Sequence, residues 1–144
     1  MKCLKLAVML SACCITTAYA ASDRQVEIIK ALYQQAKAQQ QGMEILEKYA
    51  DSSFAQAFKV KAQNGEVCGT DHDVVWQSQD PEYDRKLTFT KLGNNRVKVN
   101  LAKGQWHEPG SVVYQLKCKG NHCQVSDVIE GRNSLKQDIL DECS

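Results

Sequence analysis

Tyr114 and Asp127 are of the residue types that do proton chemistry, and a cysteine hairpin between them sets how they meet. In Cys118-Lys119-Gly120-Asn121-His122-Cys123 the Gly-Asn centre reads as a two-residue turn, so Cys118 stands opposite Cys123. Counting outward pairs Leu116 with Val125, Tyr114 with Asp127 and Val112 with Ile129, all on one side of a sheet. Asp127 is the only acid in that set. A carboxylate beside a phenol on an apolar, concave face could act as a proton-abstracting base with an oxyanion donor, its pKa raised by desolvation. The competing reading makes Asp127 a buried anchor, accepting hydrogen bonds from Tyr114 and from the backbone of a following helix. No second acid or histidine can be placed beside the pair from sequence, which favours the anchor.

The three histidines form no recognisable site. His72 lies in Asp71-His72-Asp73, His107 in Trp106-His107-Glu108-Pro109 and His122 in the tight turn, and each reads as a solvated loop residue. The spacing of Asp71, His72 and Asp73 suits neither zinc nor a calcium loop, so no metal is expected, and no motif points to a cofactor. No serine sits in a Gly-x-Ser-x-Gly elbow, so no nucleophilic triad is expected. Trp106 lies in Gly104-Gln105-Trp106-His107-Glu108-Pro109-Gly110, a loop longer and more aromatic than a hairpin needs. An exposed tryptophan there would anchor a partner protein, and a folded-back one would close over the sheet; both readings stand. Trp76 reads as core in a Val74-Val75-Trp76 strand. Asp80-Pro81-Glu82-Tyr83-Asp84-Arg85 is a charged loop that would add Tyr83 and an acidic rim to such a surface.

The setting for this chemistry is written at the start of the chain. Lys2 and Lys5 form a positive region, Leu6 to Thr16 an apolar run, and Ala18-Tyr19-Ala20 a small-x-small cleavage site, the pattern of an export signal over residues 1–20. A rival reading takes Leu10-Ser11-Ala12-Cys13 as a lipobox, with Cys13 acylated to an outer-membrane anchor. The apolar run before Cys13 is at the short limit for a signal, so cleavage after Ala20 is preferred and residues 21–144 are expected as one domain, periplasmic or secreted. Losing Lys2 and Lys5 takes the 18 basic residues to 16 against 17 acidic, a charge of −1 that argues against nucleic acid. No later segment has the roughly 18 apolar residues of a membrane span.

Of seven cysteines, Cys3, Cys13 and Cys14 lie in the leader, and Cys68, Cys118, Cys123 and Cys143 form an even set. Four cysteines allow three connectivities. The hairpin favours Cys118 with Cys123, which leaves Cys68 for Cys143, a bridge that would contribute about 4 kcal/mol in the loop-entropy picture. A zinc site is disfavoured, because the Cys-x4-Cys spacing lacks a second matching ligand pair.

These residues are carried by a helical first half and a stranded second half. Ser22-x-x-Gln25 resembles a capping box, and Val26, Ile29, Leu32, Tyr33 and Ala36 recur on one helical face. Met43, Leu46, Tyr49, Phe54 and Phe58 suggest two further helices, with caps at Asp51 to Ser53 between them. From Asn64-Gly65 turn residues multiply. Leu87 and Phe89, then Val97, Val99 and Leu101, alternate with polar residues as in a hairpin with one buried face. Ser111 to Cys118 and Cys123 to Ile129 continue the meander, and a last helix from Asn133 or Ser134 puts Leu135, Ile139 and Cys143 on one face. The predicted class is α+β: N-terminal helices on a curved antiparallel sheet, with a short C-terminal helix.

This order, with Asp80-Pro81-Glu82-Tyr83 before the sheet, Val125-Ser126-Asp127-Val128 in the last strand and Ser134-Leu135-Lys136 opening the final helix, resembles a bacterial family of uncharacterised envelope proteins. The resemblance covers roughly residues 24–142. It implies the nuclear transport factor 2-like, cystatin-like cone fold. Where that family has a tryptophan and often two acids near Val125 to Val128, this chain has Gln124 and Ser126. The wider superfold hosts isomerases, ligand binders and protein-binding modules, so the fold alone implies no activity. The expectation is therefore an exported domain that binds a partner protein, as a periplasmic immunity or inhibitor protein would. The alternatives are a small-ligand-binding cone and an isomerase-like enzyme using Asp127 and Tyr114.

Overall fold

The computed structural model describes the backbone of residues 17–64 and 68–144, with side chains from Arg24 onward. Residues 1–16 of the expected leader, Cys13 among them, and the side chain of Ser22 lie outside the described residues. Helix α1 (Thr17–Gln39) buries Gln25, Ile29, Leu32, Tyr33 and Ala36 along one face. It stops in a Schellman arrangement: Gln40 is left-handed (φ 52), its amide reaches Lys37 O at 3.3 Å, and the Gln41 amide reaches Ala36 O at 3.1 Å. Gly42 follows because the chain must pass over Asp73, whose carboxylate lies 2.1 Å from where a Gly42 side chain would begin.

Helix α2 (Met43–Tyr49) and helix α3 (Ser52–Asn64) complete the helical half. Asp51 caps α3 by accepting from the Phe54 amide at 2.8 Å, and its own amide donates to Val125 O at 2.7 Å, tying the helices to the sheet. Val74, Val75 and Trp76 do not form the expected strand. They make a tight turn closed by reciprocal backbone hydrogen bonds of 3.0 and 3.2 Å between Asp73 and Ser78, and all three side chains are buried. The Asp73 carboxylate holds this turn by accepting from the amides of Gly42, Val75 and Trp76.

The second half is a five-stranded antiparallel curved sheet in simple meander order. Its strands are β1 (Leu87–Leu92), β2 (Arg96–Leu101), β3 (Gly110–Lys119), β4 (His122–Glu130) and β5 (Asn133–Ser134). Helix α4 (Leu135–Cys143) closes the chain and packs on α3 and β4. The sheet turns Val97, Val99 and Leu101, Val112, Tyr114 and Leu116, and Val125 and Val128 inward, where they meet α1 and Trp76 in one core. Both expected disulfides are present, Cys68–Cys143 and Cys118–Cys123, the latter with Cα atoms 4.0 Å apart. The class is α+β, as the sequence predicts.

One register expectation fails. Cys118 pairs with Cys123 and Leu116 with Val125, but a β-bulge at Ser126 shifts everything beyond it by one residue. Asp127 therefore pairs with Gln115, Tyr114 with Val128 and Val113 with Ile129.

Candidate functional site

Tyr114 and Asp127 are not brought together. Tyr114 is fully buried and donates to Tyr33 Oη at 3.0 Å, and Tyr33 donates to Val75 O at 2.8 Å. Burial pushes both phenols far above the usual tyrosine range. Asp127 accepts from the amides of Val128 (2.8 Å) and Lys136 (3.0 Å) and from the Ser134 hydroxyl (2.5 Å). Ser134 in turn caps α4 by accepting from the Gln137 amide at 3.1 Å. The carboxylate is the anchor of the closing helix, and the base–phenol pair expected of an isomerase is not formed.

The exposed chemistry gathers instead around residues 102–109. Trp106 is 78 % exposed, the one large hydrophobic so placed among the described residues, and is no lid. Its loop is held from beneath. Arg85, 7 % exposed, donates Nε–H to Ala102 O at 2.9 Å and Nη2–H to Glu108 O at 2.7 Å, with longer bonds to Leu101 O and Trp76 O. Carbonyls take all of these bonds, so the guanidinium acts as a peg through the loop rather than as half of an ion pair. Glu82 Oε1 accepts the Trp106 amide at 2.8 Å, and the Gly104 amide reaches His107 O at 2.8 Å.

At the same loop, Ser78 Oγ lies 2.7 Å from His107 Nε2, and His107 Nδ1 lies 3.1 Å from Glu82 Oε2. That second contact is off the N–H direction, yet neither buried atom has another partner, so the two answer each other as charge to ring. Partial burial pushes the Glu82 carboxyl up, but the His107 ring and the Trp106 and Gln105 amides outweigh it and hold it below its usual range. Gly104 makes the seat: a side chain there would begin 1.6 Å from Glu82 Oε2. His107 is thus a bonded, largely covered residue and not the solvated one expected.

The charged loop serves the fold more than a rim. Tyr83 donates to Gln40 O at 2.8 Å and stacks edge-on to Trp76 at 5.2 Å, while Asp84 pairs with Lys37 at 2.7 Å on the surface. His72 is also bonded, with Nε2 2.8 Å from Glu130 Oε1 and Nδ1 3.1 Å from Asp71 Oδ1. Burial pulls its pKa down, but the two carboxylates prevail and raise it above the ordinary histidine value. It borders an open groove of about 1010 Å³ lined also by Met43, Phe58, Lys61 and Gln79. Among the described residues no group of three or more His, Cys, Asp or Glu is arranged to hold a metal, and no helix is long and apolar enough to cross a membrane.

Sequence reasoning missed Ser78, Glu82, Arg85 and His107 as one cluster. Ser78 and His107 are 29 positions apart, and no periodicity reports a meeting of two loops. The available signal was the density of turn residues and Gly104 beside an aromatic loop.

No protein-family model matches the chain, and no curated protein matches it. Among solved structures the chain is similar to a crystal structure of a protein of unknown function from Bacteroides thetaiotaomicron. The TM-score is 0.60 at 17 % identity, over 80 % of this chain and 95 % of that one, a likeness of fold alone.

Proposed function

We propose that the chain is an exported binding protein that seats another protein on the Trp106 loop, in the manner of a periplasmic immunity or inhibitor protein. The observation that carries this reading is an exposed tryptophan on a braced loop. Tryptophan is the residue type most enriched where binding energy concentrates, and a loop fixed in advance by Arg85 and Glu82 loses little entropy on docking. The two disulfides support export, since such bridges persist in oxidising compartments.

The test is paired capture. The oxidised domain and its Trp106→Ala variant are immobilised and exposed to envelope extract and culture fluid from the source cells. The expected result is a protein retained near one-to-one by the wild type and bound about 30-fold more weakly by the variant, the cost of losing a binding hot spot. Equal retention by both would sink the reading. A second reading, a small-ligand binder, is favoured by the groove beside His72 and Lys61. Retention of a small molecule by both proteins would support it.

A further inference from the structure

Ser78, His107 and Glu82 present a hydroxyl, an imidazole and a carboxylate in series across the two ring nitrogens, at 2.7 and 3.1 Å. An imidazole that keeps its proton on Nδ1 beside a carboxylate offers its Nε2 lone pair to the hydroxyl, which is the logic of a nucleophile activated by a positioned base. A simple tie between loops needs less than is found here. The Glu82 carboxylate has a seat cleared by Gly104, and its Oε2 lies 3.1 Å from Nδ1, off the N–H direction, both atoms being buried with no other partner. Ser78 follows Gln77, a non-glycine residue in the left-handed region (φ 57), so the serine leaves a strained turn. The Asp80 amide donates to Ser78 Oγ at 2.9 Å, and with the ring proton on Nδ1 the Ser78 hydroxyl donates to His107 Nε2. Among the described residues the amide of exposed Gln79, next after the serine, donates to no protein group, and that is the sequence position from which an oxyanion donor follows a nucleophile.

We propose that Ser78, His107 and Glu82 form an acyl-transfer site that hydrolyses carboxylic esters, with Trp106 as the platform for an apolar or aromatic group of the substrate. Ser78 Oγ attacks the ester carbonyl carbon as its proton passes to His107 Nε2. The C–O bond to the alcohol breaks, and that proton leaves with the alcohol. Water then attacks the Ser78 ester, giving a proton to His107, and the acid departs as Oγ recovers its proton. The sum is ester and water to acid and alcohol, with no other reactant. Ser78 and His107 are the catalytic residues, and Glu82, acting through His107, is a positioning residue. This goes beyond the binding role and does not depend on it, because a protein can seat on Trp106 with Ser78 inert.

The test uses the full oxidised chain. An alkyl fluorophosphonate is added and the adduct is mapped by peptide mass spectrometry. The Ser78 oxygen should bond to phosphorus as fluoride leaves, marking the peptide that contains Ser78. In parallel, p-nitrophenyl butyrate hydrolysis is followed for the wild type, Ser78→Ala, His107→Gln and Glu82→Gln. The first two variants should lose about 100-fold or more in kcat/KM, and Glu82→Gln should lower kcat with KM unchanged. No adduct, an adduct elsewhere, or a wild-type rate equal to that of Ser78→Ala would overturn the proposal. Adduct mapping needs no variant, so the result stands even if Ser78→Ala fails to fold.

Discussion

Tyr33 stands between two groups that have no water to turn to: it donates to Val75 O and receives from Tyr114 Oη, all within the core. Its ring meets Trp76, Phe89 and Tyr114 edge-on at 5.4, 5.7 and 6.0 Å, so the phenol sits at the centre of the aromatic packing. Removing one partner from a buried pair costs more than the pair itself contributes. Tyr33→Phe, which orphans two groups, should destabilise by about 2–4 kcal/mol, and Tyr114→Phe, which leaves the Tyr33–Val75 bond intact, by about 1 kcal/mol. Urea unfolding midpoints at constant slope would measure both, and equal losses would contradict the chain of bonds. That Tyr114 is an inward residue was legible from its alternation with Val112 and Leu116. Its partner was not, since Tyr33 lies 81 positions away on a helix.

Among the elements, β4 shows where pattern reading stops. Strict alternation from Cys123 and Val125 leads to Asp127, but the inward residue is Val128, three positions beyond Val125, because the bulge at Ser126 spends one residue without a partner. Val125-x-x-Val128 was the signal in the sequence, and reading apolar spacing ahead of strict count would have found it. The bulge releases Asp127 from the inner face to hold α4. Asp127→Ala should therefore cost about 3 kcal/mol and raise hydrogen exchange in α4 before the sheet. An unchanged exchange pattern in α4 would show that the helix is held by its apolar face alone. The helices were easier to read: Ile29, Leu32, Tyr33 and Ala36 needed only a period, and the cysteine hairpin needed only Gly120-Asn121 (Gly120 φ 57).

At the scale of the whole molecule, the core and the Cys68–Cys143 bridge, which spans 75 positions, fix the sheet, the helices and the chain end as one body. The turn of residues 73–78 and the loop of residues 102–109 lie on that body and are fastened to each other by Arg85 and by the Ser78–His107 bond, with Glu82 bracing the loop. Both functional proposals rest on this fastening, because a mobile loop would neither present Trp106 in one pose nor keep His107 on Ser78. Backbone ¹⁵N relaxation at Trp106 and His107 measures it directly. Order parameters of about 0.85, equal to those of the sheet, are expected for a braced platform, and values below about 0.6 would contradict it.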